Sequence, residues 1–296
     1  MKELVTDLAR VGRFSPMAPY QRFGYVCGAL LVLSGLIHGA VYLVAGGPWE
    51  GPISWRKPIV FGLSFGITLV TLTWILGFMR LRRTTGWVVL TMLAIASTAE
   101  VLLISMQKWR GVESHFNERT QFDAMVFSAM GMLVAVVAGV TVLLTVWSLT
   151  RLDAPAGLAF AIRAGLVLML VSQMVGVQMI VYGGNTFGAA GVLKVPHAFT
   201  LHAVQVLPAL ALVLLLWDPV ERHRVRTVAL GTTGYAALIA STMVQTYAGR
   251  SPFDVGIVST ALAFGGLALL AASALIALRG LASRLHSPTS PSALGT

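Results

Sequence analysis

The chain has 296 residues, of which 56% are hydrophobic and 11% charged, and carries a formal net charge of +10. Soluble domains hold about 25% charged residues, so a water-exposed globule is excluded, and the alternation that builds a barrel is absent. The positive balance fits the Lys/Arg-rich cytoplasmic loops of membrane proteins, and with no aromatic-basic platform or DNA-binding motif it speaks against nucleic acid as a partner.

Residues 2–14 place Leu4, Val5, Leu8 and Val11 at helical spacing with basic residues opposite. This predicts a cytoplasmic interfacial helix within 1–22. Apolar windows of about 20 residues read as transmembrane helices. Four of them, 23–45, 58–79, 86–107 and 122–148, form a first unit over 23–148. A cytoplasmic linker follows at 149–157, then windows at 158–182, 197–217, 227–247 and 255–279, which form a second unit over 158–280. The Pro/Ser-rich tail, 281–296, is expected to be disordered. The first window lacks a small-residue cleavage site and reads as a retained helix. Cys27 is the only cysteine, which excludes an intramolecular disulfide and a Cys-based metal site. The expected fold is an all-α integral membrane protein with eight transmembrane helices in contact with the lipid bilayer. Of the 21 Lys and Arg residues, 14 fall on the side of the termini and 7 on the other, which predicts cytoplasmic termini.

The two units echo one another. At a constant offset of 138, Gly46 meets Gly184, Trp49 meets Phe187, Arg56 meets Lys194 and Pro58 meets Pro196. The same offset pairs Gln107 with Gln245, Trp109 with Tyr247 and Gly111 with Gly249. Rare residue types aligned across two hairpins predict a duplication, with two parallel four-helix repeats. Features present in one unit only then become the candidates for chemistry.

Those candidates are polar groups in apolar helices. Glu100 is the one carboxylate well inside a window, where an unpaired charge costs several kcal/mol. His38, Glu100, Gln107, His202 and Gln205 are expected to line an outward-opening pocket, with Arg56, Lys57, Arg110, His115, Asn117 and His197 at its mouth. Arg56 or Lys57 could turn inward to pair with Glu100. His38 and His202 together could ligate haem b, and His with Glu could hold a divalent metal. Alternatively the layer binds a small solute carried with protons on Glu100, or catalyses a reaction with Glu100 or His115 as general base. A structural or assembly role is the remaining reading. No metalloprotease, nucleophile-elbow, P-loop or dinucleotide motif is present, so whether the chain is an enzyme stays open, as does its oligomeric state.

The polar run KWRGVESHFNER (108–119) has a counterpart, YAGRSPFD (247–254), that is shorter by seven residues when Phe122 is matched to Phe253. This predicts a lid or mouth element over the Glu100 layer. GGPWEGPISWRKPIVFGLSFG (46–66), RGVESHFN (110–117) and KVPHAFTLHAVQVLP (194–208) resemble motifs of a family of bacterial, notably actinobacterial, uncharacterised multi-pass membrane proteins. The resemblance implies a bacterial plasma-membrane protein and lends no activity. The four-plus-four plan is also similar to haem A synthase, but the histidine pair expected in each half is missing.

Overall fold

The computed structural model describes residues 17–254 and 256–286. Among them are eight long helices: α1 (Pro19–Ala45), α2 (Arg56–Leu76), α3 (Arg83–Trp109), α4 (Gln121–Thr150), α5 (Ala156–Val181), α6 (Lys194–Leu215), α7 (Glu221–Tyr247) and α8 (Ile257–His286). All eight are long and apolar enough to cross a membrane. Even α2, with 21 residues, spans about 31 Å at 1.5 Å per residue, the thickness of a hydrocarbon core. A short hairpin, β1 (Thr186–Phe187) against β2 (Gly191–Val192), lies between α5 and α6.

The surface is inverted relative to a water-soluble bundle. Leu30, Leu33, Leu36 and Ile37 on α1, with Phe264, Leu267 and Leu278 on α8, are half exposed or more. Only lipid covers that much apolar side chain while leaving helix backbones internally bonded. The chain is a multi-pass membrane protein, and the bilayer is its partner.

The connections 46–55, 110–120, 182–193 and 248–256 gather at one end of the bundle, here the distal end. The connections 77–82, 151–155 and 216–220 gather at the other, proximal end. Helix bounds differ from the hydropathy windows where charge, not backbone, ended the window. Of the expected interfacial segment 1–22, residues 19–22 belong to α1, which starts with Pro19 at its first turn, and 1–16 lie outside the described residues. Likewise 281–286 are not tail: α8 runs through Arg279 and Arg284 to His286, and the Arg284 guanidinium donates to the Leu216 carbonyl. Residues 287–296 lie outside the described residues. The linker shrinks to 151–155.

Glycines let two helix pairs approach closely. In α1 and α2 a methyl group on Gly62 would sit 2.8 Å from the Gly35 Cα, and one on Gly66 would sit 2.7 Å from the Gly28 carbonyl oxygen. This is the small-residue contact that substitutes for hydrophobic drive inside lipid. In α7 and α8, Gly234 and Gly266 meet in the same way. A continuous core of Leu69, Leu72, Leu93, Leu144, Leu166 and Leu207 crosses from α2–α4 into α5 and α6.

Helices α3 and α7 begin and end 138 positions apart, and Arg56 and Lys194 open α2 and α6 at the same spacing. Their C-terminal turns match bond for bond. Gly111 (φ 72°) and Gly249 (φ 68°) take the left-handed conformation. Val112 N–H then donates to the Gln107 carbonyl (3.1 Å) and Arg250 N–H to the Gln245 carbonyl (3.2 Å). The following connectors, 110–120 and 248–256, differ by two residues, not seven. Phe122 lies in the first turn of α4, whereas Phe253 precedes α8, so matching the two phenylalanines overstated the difference.

Candidate functional site

The expected site residues do not share one pocket. His38 is buried at the distal end among aromatic rings, with Trp55 and Trp109 at 6.2 and 6.3 Å between centroids. Its Nδ1–H donates to the Ser34 carbonyl (2.8 Å), and Nε2 accepts from the Trp109 indole N–H (3.2 Å). Both ring nitrogens are engaged. Lys108 lies over the Trp55 ring at 4.3 Å, a cation–π contact closing the cluster.

Gln107 belongs to a polar knot. Its amide donates to Asp123 Oδ1 (2.9 Å), and its carbonyl accepts from Arg110. Arg110 pairs with Asp123 at 2.7 Å, Thr120 Oγ1 donates to Asp123 Oδ2, and Asp123 N–H returns a bond to Thr120. Gln245, 138 positions on, does the same work in the other half. It donates to the Ser251 and Asp254 carbonyls and accepts from Ser259 Oγ. Each glutamine thus fastens a distal connector to the helix that follows it.

The 110–120 connector is folded inward. Ser114 and Asn117 are buried, and the Asn117 amide donates to the Glu113 carbonyl (3.0 Å). Arg119 pairs with Glu113 at 3.3 Å. Phe116 is held at φ 57°, which a non-glycine adopts only where its surroundings impose it. The His115 ring lies against Phe61 of α2 (5.4 Å) and near Phe127 of α4 (6.5 Å). Ser114 Oγ lies 2.9 Å from His115 Nδ1 and accepts from Lys57 Nζ at 3.5 Å. Burial, reinforced by the Lys57 charge, pushes the His115 imidazole down to about 4. Lys57 faces Ser114 and Glu113, not Glu100, and Arg56 lies close enough to Lys57 and Lys194 to repel both.

Beneath Phe61 lies a cavity of about 110 Å³ at the seam where α2, α3 and α4 meet α5 and α6. Phe65, Leu72, Leu93, Val137 and Met169 give it apolar walls. Its polar groups are Ser64, Thr68, Ser97, Gln173 and His197. His197, expected at the mouth, therefore lies inside. Its Nδ1 is 2.9 Å from the Ser172 carbonyl, while Ser172 Oγ donates to the His197 carbonyl (2.9 Å). Gln205 spans the seam and donates to Thr68 Oγ1 (3.3 Å), leaving its own carbonyl oxygen buried without a partner. His202 is half-buried on α6 and is not a wall residue.

Glu100 sits one turn distal to Ser97 on α3 and is 1% exposed. Its Oε2 has no hydrogen-bond partner, and no ion pair to it exists among the described residues. Sequence reasoning missed Asp123, Ser114 and the Ser/Thr lining. Asp123 carries a signal: Thr120 three residues before it forms an N-cap, the pattern of a capping box. Ser64 and Ser97 carry none, because serines in apolar helices usually bond to their own backbone.

Haem does not fit this arrangement. His38 Nε2 is committed to Trp109, His202 lies on a helix outside the His38 cluster, and a cavity of about 110 Å³ is far below the ~300–1,000 Å³ of drug-sized ligand sites. No three His, Cys, Asp or Glu side chains converge on a metal position among the described residues. Comparison with protein-family models, curated proteins and solved structures finds no match.

Proposed function

We propose that this membrane protein binds a small ligand in the cavity at the seam between its two groups of four helices. The observation that carries this reading is a mid-bundle cavity with five polar residues in its walls, one of them a histidine whose Nε2 has no protein partner. Apolar voids in cores are dry and unspecific, whereas convergent polar groups in an apolar wall orient a ligand. Carriers use such seams between repeats, and the matched ends of α3 and α7 support a duplication here. The inward-folded 110–120 connector, with His115 resting on the wall residue Phe61, supports its role as a lid. The basic-residue asymmetry supports cytoplasmic termini, and the motif resemblance supports a bacterial plasma membrane. Native mass spectrometry of protein released from mild detergent tests the reading. A small non-lipid adduct is expected, and it should be lost in the cavity-filling variant Ser64→Leu. A Soret band or a stoichiometric transition metal would overturn it.

A second reading, proton-coupled carriage, rests on Glu100. A carboxylate this buried and unpartnered is costly to keep unless its protonation or its neighbours change during function. Glu100→Gln should express and melt normally yet abolish proton movement in dye-loaded vesicles. Unchanged proton movement would remove this reading.

A further inference from the structure

We infer that the ligand of the seam cavity is a small neutral molecule that donates a hydrogen bond, through an O–H or N–H, to Nε2 of His197. The inference rests on the cavity being a binding site. Nδ1 lies 2.9 Å from the Ser172 carbonyl and 3.0 Å from Ser172 Oγ; the carbonyl can only accept and the single hydroxyl proton goes to the His197 carbonyl, so the His197 proton sits on Nδ1. The reciprocal Ser172 Oγ bond to the His197 carbonyl holds the two helices in that register. On the same edge of the ring, the Gly176 position leaves a methyl-sized space, 3.4 Å from Cε1. Nε2 is therefore an unpartnered lone pair on a residue that lines the cavity. A lone pair in an apolar surround selects a donor.

The other polar walls narrow the class. Ser64, Ser97 and Gln173 are neutral and can answer a hydroxyl or amide in either sense. No Asp, Glu, Lys or Arg lines the cavity, so a charged ligand would lose its hydration without a counter-charge. An apolar cavity of ~150 Å³ admits benzene. This one, at about 110 Å³, takes something smaller, the size of a short-chain alcohol.

The test uses the full-length protein in detergent and two fluorinated solutes of similar size observed by ¹⁹F NMR. These are 2,2,2-trifluoroethanol, which donates, and 1,1,1-trifluoropropane, which does not. Trifluoroethanol should bind saturably above its partitioning into detergent, with trifluoropropane at least about tenfold weaker. In the same samples the ¹⁵N resonance of His197 Nε2 should move with trifluoroethanol and stay with trifluoropropane, a readout that needs no variant. His197→Phe should reduce trifluoroethanol to the trifluoropropane level. Equal binding of both with an unmoved Nε2 resonance would overturn the donor assignment and leave the cavity reading standing. Saturable binding of neither would overturn both.

Discussion

His38 is buried and His197 half-buried, both with Nδ1 on a backbone carbonyl, and they differ in what meets Nε2. For His38 it is the Trp109 indole; for His197, which lines the cavity, it is no protein group. Trp109→Phe keeps a ring in the cluster but strands a buried acceptor. It should destabilise the protein by about 1–3 kcal/mol, read as a lower melting temperature of the purified protein. Trp109 is itself 62% exposed, so the loss runs through the His38 acceptor; Trp49, 43% exposed and with no such indole bond among the described residues, should tolerate the same change with little effect. An unchanged melt for Trp109→Phe would mean that the indole bond contributes nothing. His115 yields a pH dependence. Its imidazole titrates near 4 where it lies against Phe61 and beside Lys57, against an ordinary value near 6.5. The released connector therefore takes up a proton at higher pH than the seated one. Seating has its full advantage above about pH 6.5 and loses it as pH falls towards 4, by up to about 3 kcal/mol. Hydrogen exchange across 112–119, corrected for intrinsic rates, should accelerate over that window. His115→Phe should flatten the response. The sequence marked all of these residues as polar groups in apolar surroundings. It did not mark their partners, because Trp109 and Ser172 come from other helices and neither has a spacing that announces the contact.

Helix existence was legible because hydropathy and length suffice for a bilayer span, and each of the eight windows overlaps one described helix. Helix ends were less so. Arg279 and Arg284 lower the local hydropathy without interrupting backbone bonding, so α8 outruns its window. Which helices pack tightly was written in Gly62-x-x-x-Gly66, but its partner face, Gly28 and Gly35, is spaced by seven and emerges only on assembly. Gly62→Ala places its methyl 2.8 Å from backbone that cannot yield. It should displace α1 from α2 and cost about 1–3 kcal/mol or more. Gly139→Ala, with open space around it, should be neutral or slightly stabilising through helix propensity. Thermal melts of the two variants side by side separate the contact from the propensity. Equal melts would show that the α1–α2 contact has room to spare.

At the scale of the whole molecule, the distinction between scaffold and chemistry lies in which polar groups are used up. Gln107 and Gln245 are satisfied by their own connectors in both halves, and His38 is satisfied within α1 and α3. At the seam, a cavity made by five helices, the groups left over are Glu100 Oε2 beside it, the Gln205 carbonyl oxygen and the Nε2 of the wall residue His197. No single window of sequence could reveal that seam, because its lining alternates between α2, α3, α4, α5 and α6. Its serines and threonine look, one helix at a time, like ordinary backbone-bonding residues. The most direct test of the central claim is chemical access to the cavity wall. In a Cys27→Ser background, a cysteine introduced by Ser97→Cys should react with a small methanethiosulfonate reagent. Cysteine at Leu90, fully buried in packed core on the same helix, should not. Saturating trifluoroethanol should slow the reaction at position 97. If position 97 proves as inert as position 90, the seam is closed packing and the ligand-binding account is contradicted.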